Sequence, residues 1–313
     1  MPSSSLSEKP AVLQVIPALD TGGAERSAID IAAALVREGF VALVASAGGR
    51  MEGELEEVGG QLIRMNAGSK APHVLFSNAR LLKDIIRKRN VKLIHARSRA
   101  PAWSALSAAG SAGIPFVTTY HGIYNAANPL KRFYNSVMVR ADAVIANSQW
   151  TADHIAREYR KPPARLVVIP RGVDVQRFDP SAISPDRIAR LRNDWGVGSE
   201  DFVILLPGRL TRWKGQGVLI DALAHMTANG TLGRARAILA GDAQGRNEYE
   251  EELRRKIESA GLSEHVFIVG HVDDMPAAYA ASDVVISAST DPEAFGRVAA
   301  EASAMAKPVI AAE

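Results

Sequence analysis

Two kinds of apolar spacing alternate along this chain. Short unbroken runs at 12–17, 41–46, 62–64, 92–96, 115–119, 143–146 and 166–169 have the length and character of strands buried on both faces. Between them apolar residues return at helical spacing, as with Ala28, Ile31, Ala32 and Leu35 after the first strand. Further helices are predicted near 52–58, 74–89 and 102–109, and another after an Asn147-Ser148 cap, reaching 158. The alternation then restarts, with strands at 202–207, 235–240, 266–269, 284–287 and 308–312 and helices from 218, at 248–260, near 275–280 and at 292–305. Strand and helix in turn predict an α/β protein whose parallel sheets are covered on both faces. A connector punctuated by Pro and Gly, Pro170 to Pro180, breaks the rhythm. It sets a first domain at 1–170, a hinge at 171–180 and a second domain at 181–313, and a chain of 313 residues is long enough for two cores.

Composition narrows the compartment and the chemistry. There is no cysteine, so disulfides and thiolate metal sites are excluded and a reducing cytoplasm suits the chain. Residues 1–10 are polar and Ser-rich, and Gln14 and Pro17 interrupt the apolar run that follows, so neither a signal peptide nor a membrane span is expected there. The net charge of +3 hides an asymmetry: residues 1–170 hold 21 Lys and Arg against 13 Asp and Glu, and residues 171–313 hold 16 against 21. A basic first half suits nucleic acid, an anionic membrane or an anionic substrate. Within 80–99 stand Arg80, Lys83, Arg87, Lys88, Arg89, Lys92, Arg97 and Arg99 against Asp84 alone. No aromatic residue interleaves them, which disfavours nucleic acid and leaves docking to anionic lipid, or a surface helix whose apolar side packs on the sheet.

The stretch richest in candidate chemistry runs from Ser287 through Asp291-Pro292-Glu293-Ala-Phe295-Gly296-Arg297-Val298-Ala-Ala-Glu301 to Ile310. A helix from Pro292 would set Glu293 and Glu301 about 12 Å apart, able to grip two ends of an extended ligand, with the N–H groups of Phe295 and Gly296 facing an anion in the first turn. A helix start alone also accounts for Asp291 as cap, Pro292 as first residue and Glu293 as first-turn charge. Other loops follow strands in the same way. Gly22-Gly23-Ala-Glu25 opens the first helix, where it is either a tight turn or a backbone approach to a ligand. His121 stands just past a strand, where open α/β sheets bind ligands. Gly208-Arg209-Leu-Thr-Arg-Trp-Lys214-Gly215 places two cations five residues apart, fit for a diphosphate or simply solvated. The pair Gly215-x-Gly217 is not a dinucleotide fingerprint, because Ile220 stands where a third glycine is needed, so a dehydrogenase is disfavoured.

Glu, seven residues, Glu, with Phe-Gly after the first, resembles the donor-sugar motif of the retaining glycosyltransferases of family 4. Gly-Gly-Ala-Glu, Thr-Tyr-His121-Gly, the hinge and Arg209 with Lys214 are similar to the same family; Arg171 stands where the hinge often has Asn, and Ala294 and Ala306 where glycine is common. The resemblance implies a GT-B fold: two facing Rossmann-like, doubly wound parallel-sheet domains with the active site in an interdomain cleft. It further implies transfer of a hexosyl unit from a nucleotide diphosphate sugar to a hydroxyl acceptor, with retention and without a metal or other cofactor, the acceptor being lipid-linked or of the lipopolysaccharide or polysaccharide type. Glu293 would hold donor hydroxyls, Glu301 the ribose, Val272 the base, and His121 would lie near the reacting sugar. Arg209, Lys214, Gly22, Gly23, Phe295, Gly296, Arg297 and Val298 would surround the diphosphate. An epimerase of the same architecture and a non-catalytic sugar-nucleotide-binding protein are the alternatives. A cytoplasmic enzyme, peripheral on the membrane's inner face and serving the cell envelope, is the expected setting. The family also implies further helices beyond Glu313, so the chain is expected to be truncated at its C-terminus, with apolar surface exposed on the second sheet.

Overall fold

In the computed structural model the described residues are 9–20, 22–124, 126, 128–159, 163–245 and 247–312. The polar stretch 1–8, Thr21 of the glycine loop and Glu313 lie outside them. The chain forms two units, the first ending at Arg171 and the second beginning at Gly172. In chain order the first holds β1 (Ala11–Val15), α1 (Gly23–Arg37), β2 (Val41–Ser46), α2 (Glu52–Glu57), β3 (Gln61–Arg64), α3 (Pro72–Lys88), β4 (Val91–Ala96), α4 (Arg99–Ala112), β5 (Phe116–Tyr120), α5 (Pro129–Asn135), β6 (Ala143–Ala146), α6 (Gln149–Glu158) and β7 (Leu166–Val168). All pairings are parallel, in the order β3-β2-β1-β4-β5-β6-β7.

The second unit repeats the plan. It holds α7 (Pro185–Asp194), β8 (Phe202–Pro207), α8 (Gln216–Ala228), β9 (Ala235–Ala240), α9 (Asn247–Ser259), β10 (Val266–Gly270), α10 (Met275–Ala281), β11 (Val284–Ser287), α11 (Arg297–Ala304) and β12 (Val309–Ala311). Its five parallel strands run β10-β9-β8-β11-β12. Each sheet carries core on both faces, which explains why its strands read as continuous apolar runs. In both, the strand order reverses beside the first strand, between β1 and β4 and between β8 and β11. Open sheets take ligands at such points, beyond the carboxyl ends of the strands.

Three differences from the sequence expectation have physical causes. In α1, Ile29 is buried and Ile31 is 41% exposed, so the inward stripe is Ala28, Ile29 and Ala32. The short α5 and α7 begin at Pro129 and Pro185; Asn128 caps α5 by accepting from Lys131 N at 2.8 Å. Arg192 of α7 reaches the carbonyls of Ala281, Gly198 and Asp201, backbone contacts that leave no periodic mark in the sequence.

The third difference concerns α11, which starts at Arg297 and not at Pro292. Gly296, at φ +72°, turns the chain into the helix through the left-handed region that glycine tolerates. Asp291 is therefore no cap, Pro292 no first helical residue, and Glu293 stands in the loop before the helix.

At the other end, α11 closes with the paired bonds of a Schellman motif, Ala306 N to Ser303 O at 3.0 Å and Lys307 N to Ala302 O at 2.9 Å. The left-handed position is filled by Ala306 at φ +53°. Left-handed backbone costs an L-residue about 1–2 kcal/mol, and glycine returns roughly 0.5–1 of this through its freer unfolded chain. Ala306→Gly is expected to raise stability by about 0.5–1 kcal/mol, read from chemical denaturation midpoints. An unchanged or lower midpoint would show that the strain is not there.

Candidate functional site

The second unit brings its two switch-point loops into contact. After β8 the chain makes a short 3-10 turn, Arg212–Lys214, and leaves it at Gly215 with φ +76°. A Cβ on Gly215 would lie 1.8 Å from the carbonyl oxygen of Ala288, so only glycine permits this approach. Thr290 N donates to Trp213 O at 2.8 Å and fastens the loop after β11 to the turn. The crossing delivers Lys214 to Glu293: Lys214 Nζ donates to Glu293 Oε1, and Ser289 Oγ donates to the same oxygen at 2.5 Å. Lys214 is 15% exposed and Glu293 23%, and the ammonium also lies 4.4 Å from the Trp213 ring centroid. In such shielded surroundings a charge-assisted bond is among the stronger ones. The tertiary pairing also accounts for the late start of α11, because it draws Glu293 out of the first turn.

Arg209 is not drawn into that pair. Its side chain is exposed, while its carbonyl accepts from Gln216 Nε2 at 3.0 Å. Glu301, on α11, is held at both oxygens: Arg297 Nε donates to Oε1 at 3.0 Å, and the fully buried Tyr279 donates through its hydroxyl to Oε2 at 3.0 Å. Burial, then the Glu301 charge, pushes the Tyr279 hydroxyl well above its ordinary range, so it stays a donor. Tyr279 was not legible as a site residue; nothing in Met275–Ala281 sets it apart. Val298 packs on the core of this unit, Phe295 is half-buried in the loop, and no side chain caps α11. Val272 lies on the wall of an open cavity of about 690 Å³ along β10, with Trp195, His271, Asp273 and Asp274. None of Lys214, Glu293 and Glu301 lines that cavity.

The first unit has a polar ladder at its own switch point. In register, Gln14 of β1 faces His95 of β4, and His95 faces Val117 of β5. Alternation therefore puts Gln14, His95, Arg97, Thr119 and His121 on one side of three central strands. His95 Nε2 meets Thr119 Oγ1 at 2.7 Å, and Arg97 Nε donates to Gln14 Oε1 at 2.6 Å. Burial pushes the Arg97 guanidinium down to about 9, with the Arg171 charge adding to the effect and Asp30 opposing it, so Arg97 stays charged at neutral pH. His121 meets the Arg171 Nη2 through Nδ1. Desolvation, then the charges of Arg171 and Arg97, holds this imidazole well below its usual range, so the ring is neutral at pH 7. Gly22 and Gly23 open α1, and the Gly22 carbonyl accepts from Arg26 N at 3.0 Å. Arg97 was counted among surface cations in the sequence; it is 3% exposed. The polar residue at every second position was the signal that could have found it.

Residues 21–177 match the family described as Glycosyltransferase Family 4, and residues 188–313 match Glycosyl transferases group 1. A glycosyltransferase of known structure from Rickettsia africae is 38% identical, with a TM-score of 0.83 over 97% of this chain and 79% of that one. HepE from Anabaena, solved in complex with UDP-glucose, is 30% identical, with a TM-score of 0.83 over 97% of this chain and 80% of that one. The D-inositol 3-phosphate glycosyltransferase of Xylanimonas cellulosilytica is 35% identical over 180 residues, 56% of this chain and 42% of that protein. The GDP-mannose-dependent alpha-(1-6)-phosphatidylinositol monomannoside mannosyltransferase of Mycolicibacterium smegmatis is 35% identical over 179 residues, 55% of this chain and 44% of that protein. The match thus spans less than half the length of these last two relatives. Matched in both its units, this chain belongs to the family 4, group 1 glycosyltransferases and has their GT-B fold of two parallel-sheet, Rossmann-like domains.

Proposed function

We propose that the chain is a retaining glycosyltransferase that moves a hexosyl unit from a nucleotide diphosphate sugar to a hydroxyl group of a lipid-linked or polysaccharide-type acceptor. The observation that carries this reading is the Lys214–Glu293 pair, braced by Ser289, in a family 4 chain that also exposes Arg209 on the loop leading to Lys214. That HepE was solved with UDP-glucose supports a nucleoside diphosphate hexose as donor.

Each group then has a role. Among the described residues nothing donates to Glu293 Oε2, which leaves it for a donor sugar hydroxyl. An ammonium has three donors, so Lys214 can keep Glu293 and still meet a phosphate oxygen. With Arg209 and the N–H groups opening α11 at Gly296, Arg297 and Val298, it would stabilise the charge that grows on the departing diphosphate, a contact of most use in the transition state. Among the described residues each oxygen of Glu301 accepts one bond, which leaves a lone pair for a ribose hydroxyl. Val272 is assigned to the base, with Phe295 beside the diphosphate. From the first unit, His121 is assigned to the neighbourhood of the reacting sugar and the Gly22-Gly23 backbone to phosphate. In the reaction the bond from the anomeric carbon to the diphosphate oxygen breaks and one to the acceptor oxygen forms on the same face. The acceptor's hydroxyl proton passes to the leaving phosphate, so no protein base and no metal is called for.

The exposed cations Arg80, Arg87, Lys88, Arg89 and Lys92 are assigned to an anionic membrane surface, together with Phe76, which is 61% exposed under the Arg80 guanidinium. Arg97 is withdrawn from that run by its burial, and Arg99 by its bond to Asn135 and its place over Tyr124.

Two outcomes are expected. Calorimetric titration with UDP, GDP and ADP should identify one that binds, and Glu293→Gln should then lower turnover with its hexose donor at least tenfold, about 1.4 kcal/mol. The nucleotide diphosphate should bind that variant as well as before or better, because Lys214 keeps its charge and loses its carboxylate. Near-normal turnover with a lowered melting temperature would reduce Glu293 to a structural partner of Lys214. The chain should also sediment with phosphatidylglycerol-containing vesicles at low salt, each surface cation adding about 1 kcal/mol, and release as salt rises. No binding at low salt would remove the membrane assignment.

A further inference from the structure

The polar ladder of the first unit ends in donors that have no acceptor among the described residues. Arg97 Nη2 and His121 Nε2 are both buried, and neither has a hydrogen-bond partner among the described residues. The proton on His121 follows from its neighbour. A guanidinium only donates, so the Nδ1 that meets Arg171 must accept, and the neutral ring then carries its hydrogen on Nε2. Two N–H groups are therefore shielded from water and unmatched, and a buried donor left unpaired costs about 1–3 kcal/mol. Both stand just beyond the carboxyl ends of β4 and β5, next to the point where the strand order reverses. The charges nearest them are the guanidinium groups of Arg97 and Arg171, with Asp30 the carboxylate that opposes. Two buried donors left over beside guanidinium charge that one carboxylate only partly offsets suit an oxyanion.

We propose that Arg97 and His121 form a binding site for a phosphate group at the β1, β4 and β5 ends of the first unit. Gln14 aims Arg97 by accepting from its Nε, and Arg171 fixes the His121 tautomer by donating to its Nδ1. The ligand class is a phosphorylated compound. Resting on the glycosyltransferase reading above, it is either a phosphate borne by the acceptor or the diphosphate of the donor. The fork of a guanidinium suits a phosphate better than a neutral hydroxyl, which would leave the charge of Arg97 unmatched.

The test uses the whole chain and inorganic phosphate. Titrated at constant ionic strength against chloride, phosphate should raise the melting temperature with saturation in the millimolar range. It should also shift the ring Nε2–H resonance of His121 in the unaltered protein. Arg97→Gln should raise the apparent Kd for phosphate at least tenfold. Should that variant fail to fold, the resonance shift of the unaltered protein decides alone. Repeating the titration with the preferred nucleotide diphosphate at saturation separates the two sources. Phosphate binding that persists assigns the site to the acceptor, and binding that is competed away assigns it to the donor. No response of the unaltered protein to phosphate, or an Arg97→Gln variant that binds it undiminished, overturns the proposal. Because nucleotide diphosphate binding is read in the same experiment, its failure would strike the donor assignment and leave this site standing.

Discussion

The approach of Gly215 to the carbonyl of Ala288 is the constraint from which the second unit's chemistry follows. Two loops that leave neighbouring parallel strands would ordinarily splay apart at a switch point and leave a crevice. Here one residue without a side chain lets them touch, and Thr290 N to Trp213 O locks the contact. Every later step depends on it. Lys214 reaches Glu293, the loop is pulled off the helical path, and α11 begins only at Arg297, after Gly296. The same contact fixes where the N-terminus of that helix stands. A side chain at position 215 would therefore act on the pair, the helix start and the loop together.

What could be read from the sequence, and what could not, divides along the same line. Strands such as Val41–Ser46, Phe202–Pro207 and Ala235–Ala240 were legible to the residue because burial on both faces leaves an unbroken apolar run with sharp ends. The helix at Gln149–Glu158 was legible through its Ser148 cap, which accepts from Thr151 N at 3.1 Å. Such signals are local. The start of α11 was not legible, because local chemistry favoured Asp291-Pro292-Glu293 and the contact that overrides it comes from residues far back in the chain. Tyr279 and Arg97 were missed for a related reason. The first holds Glu301 across an interval of 22 residues and the second meets Gln14 across 83. Neither partner announces the other.

Charge in this chain is better understood by where it is held than by its sum. The first unit is basic overall, yet its most consequential cation lies inside, at the end of a central strand, where burial lowers its pKa and leaves part of its donor set unmatched. The second unit is acidic overall, yet its two singled-out carboxylates are each already bonded by a cation and a hydroxyl, Glu293 by Lys214 and Ser289, Glu301 by Arg297 and Tyr279. These are opposite conditions. An unmatched donor gains when a ligand arrives. A matched carboxylate gains little from a ground-state ligand, since any new bond is weighed against the ones it has.

That asymmetry bears on how binding and rate divide. If a sugar hydroxyl met Glu293 with equal strength at every stage, the contact would tighten binding and leave the chemical step unchanged. A carboxylate already neutralised by Lys214 behaves differently when charge builds on a leaving diphosphate. In the proposed reaction the ammonium would be drawn toward the new negative charge, its hold on Glu293 would weaken, and the carboxylate would be freer to face the sugar as its ring becomes electron-poor. On that proposal the two halves of the ion pair would strengthen their separate contacts together. Ser289 and the Trp213 face already hold the two partners of the pair, so the proposed redistribution would call for no large motion. Such a contact stabilises the transition state more than the bound substrate, which is the condition for raising turnover and not merely affinity.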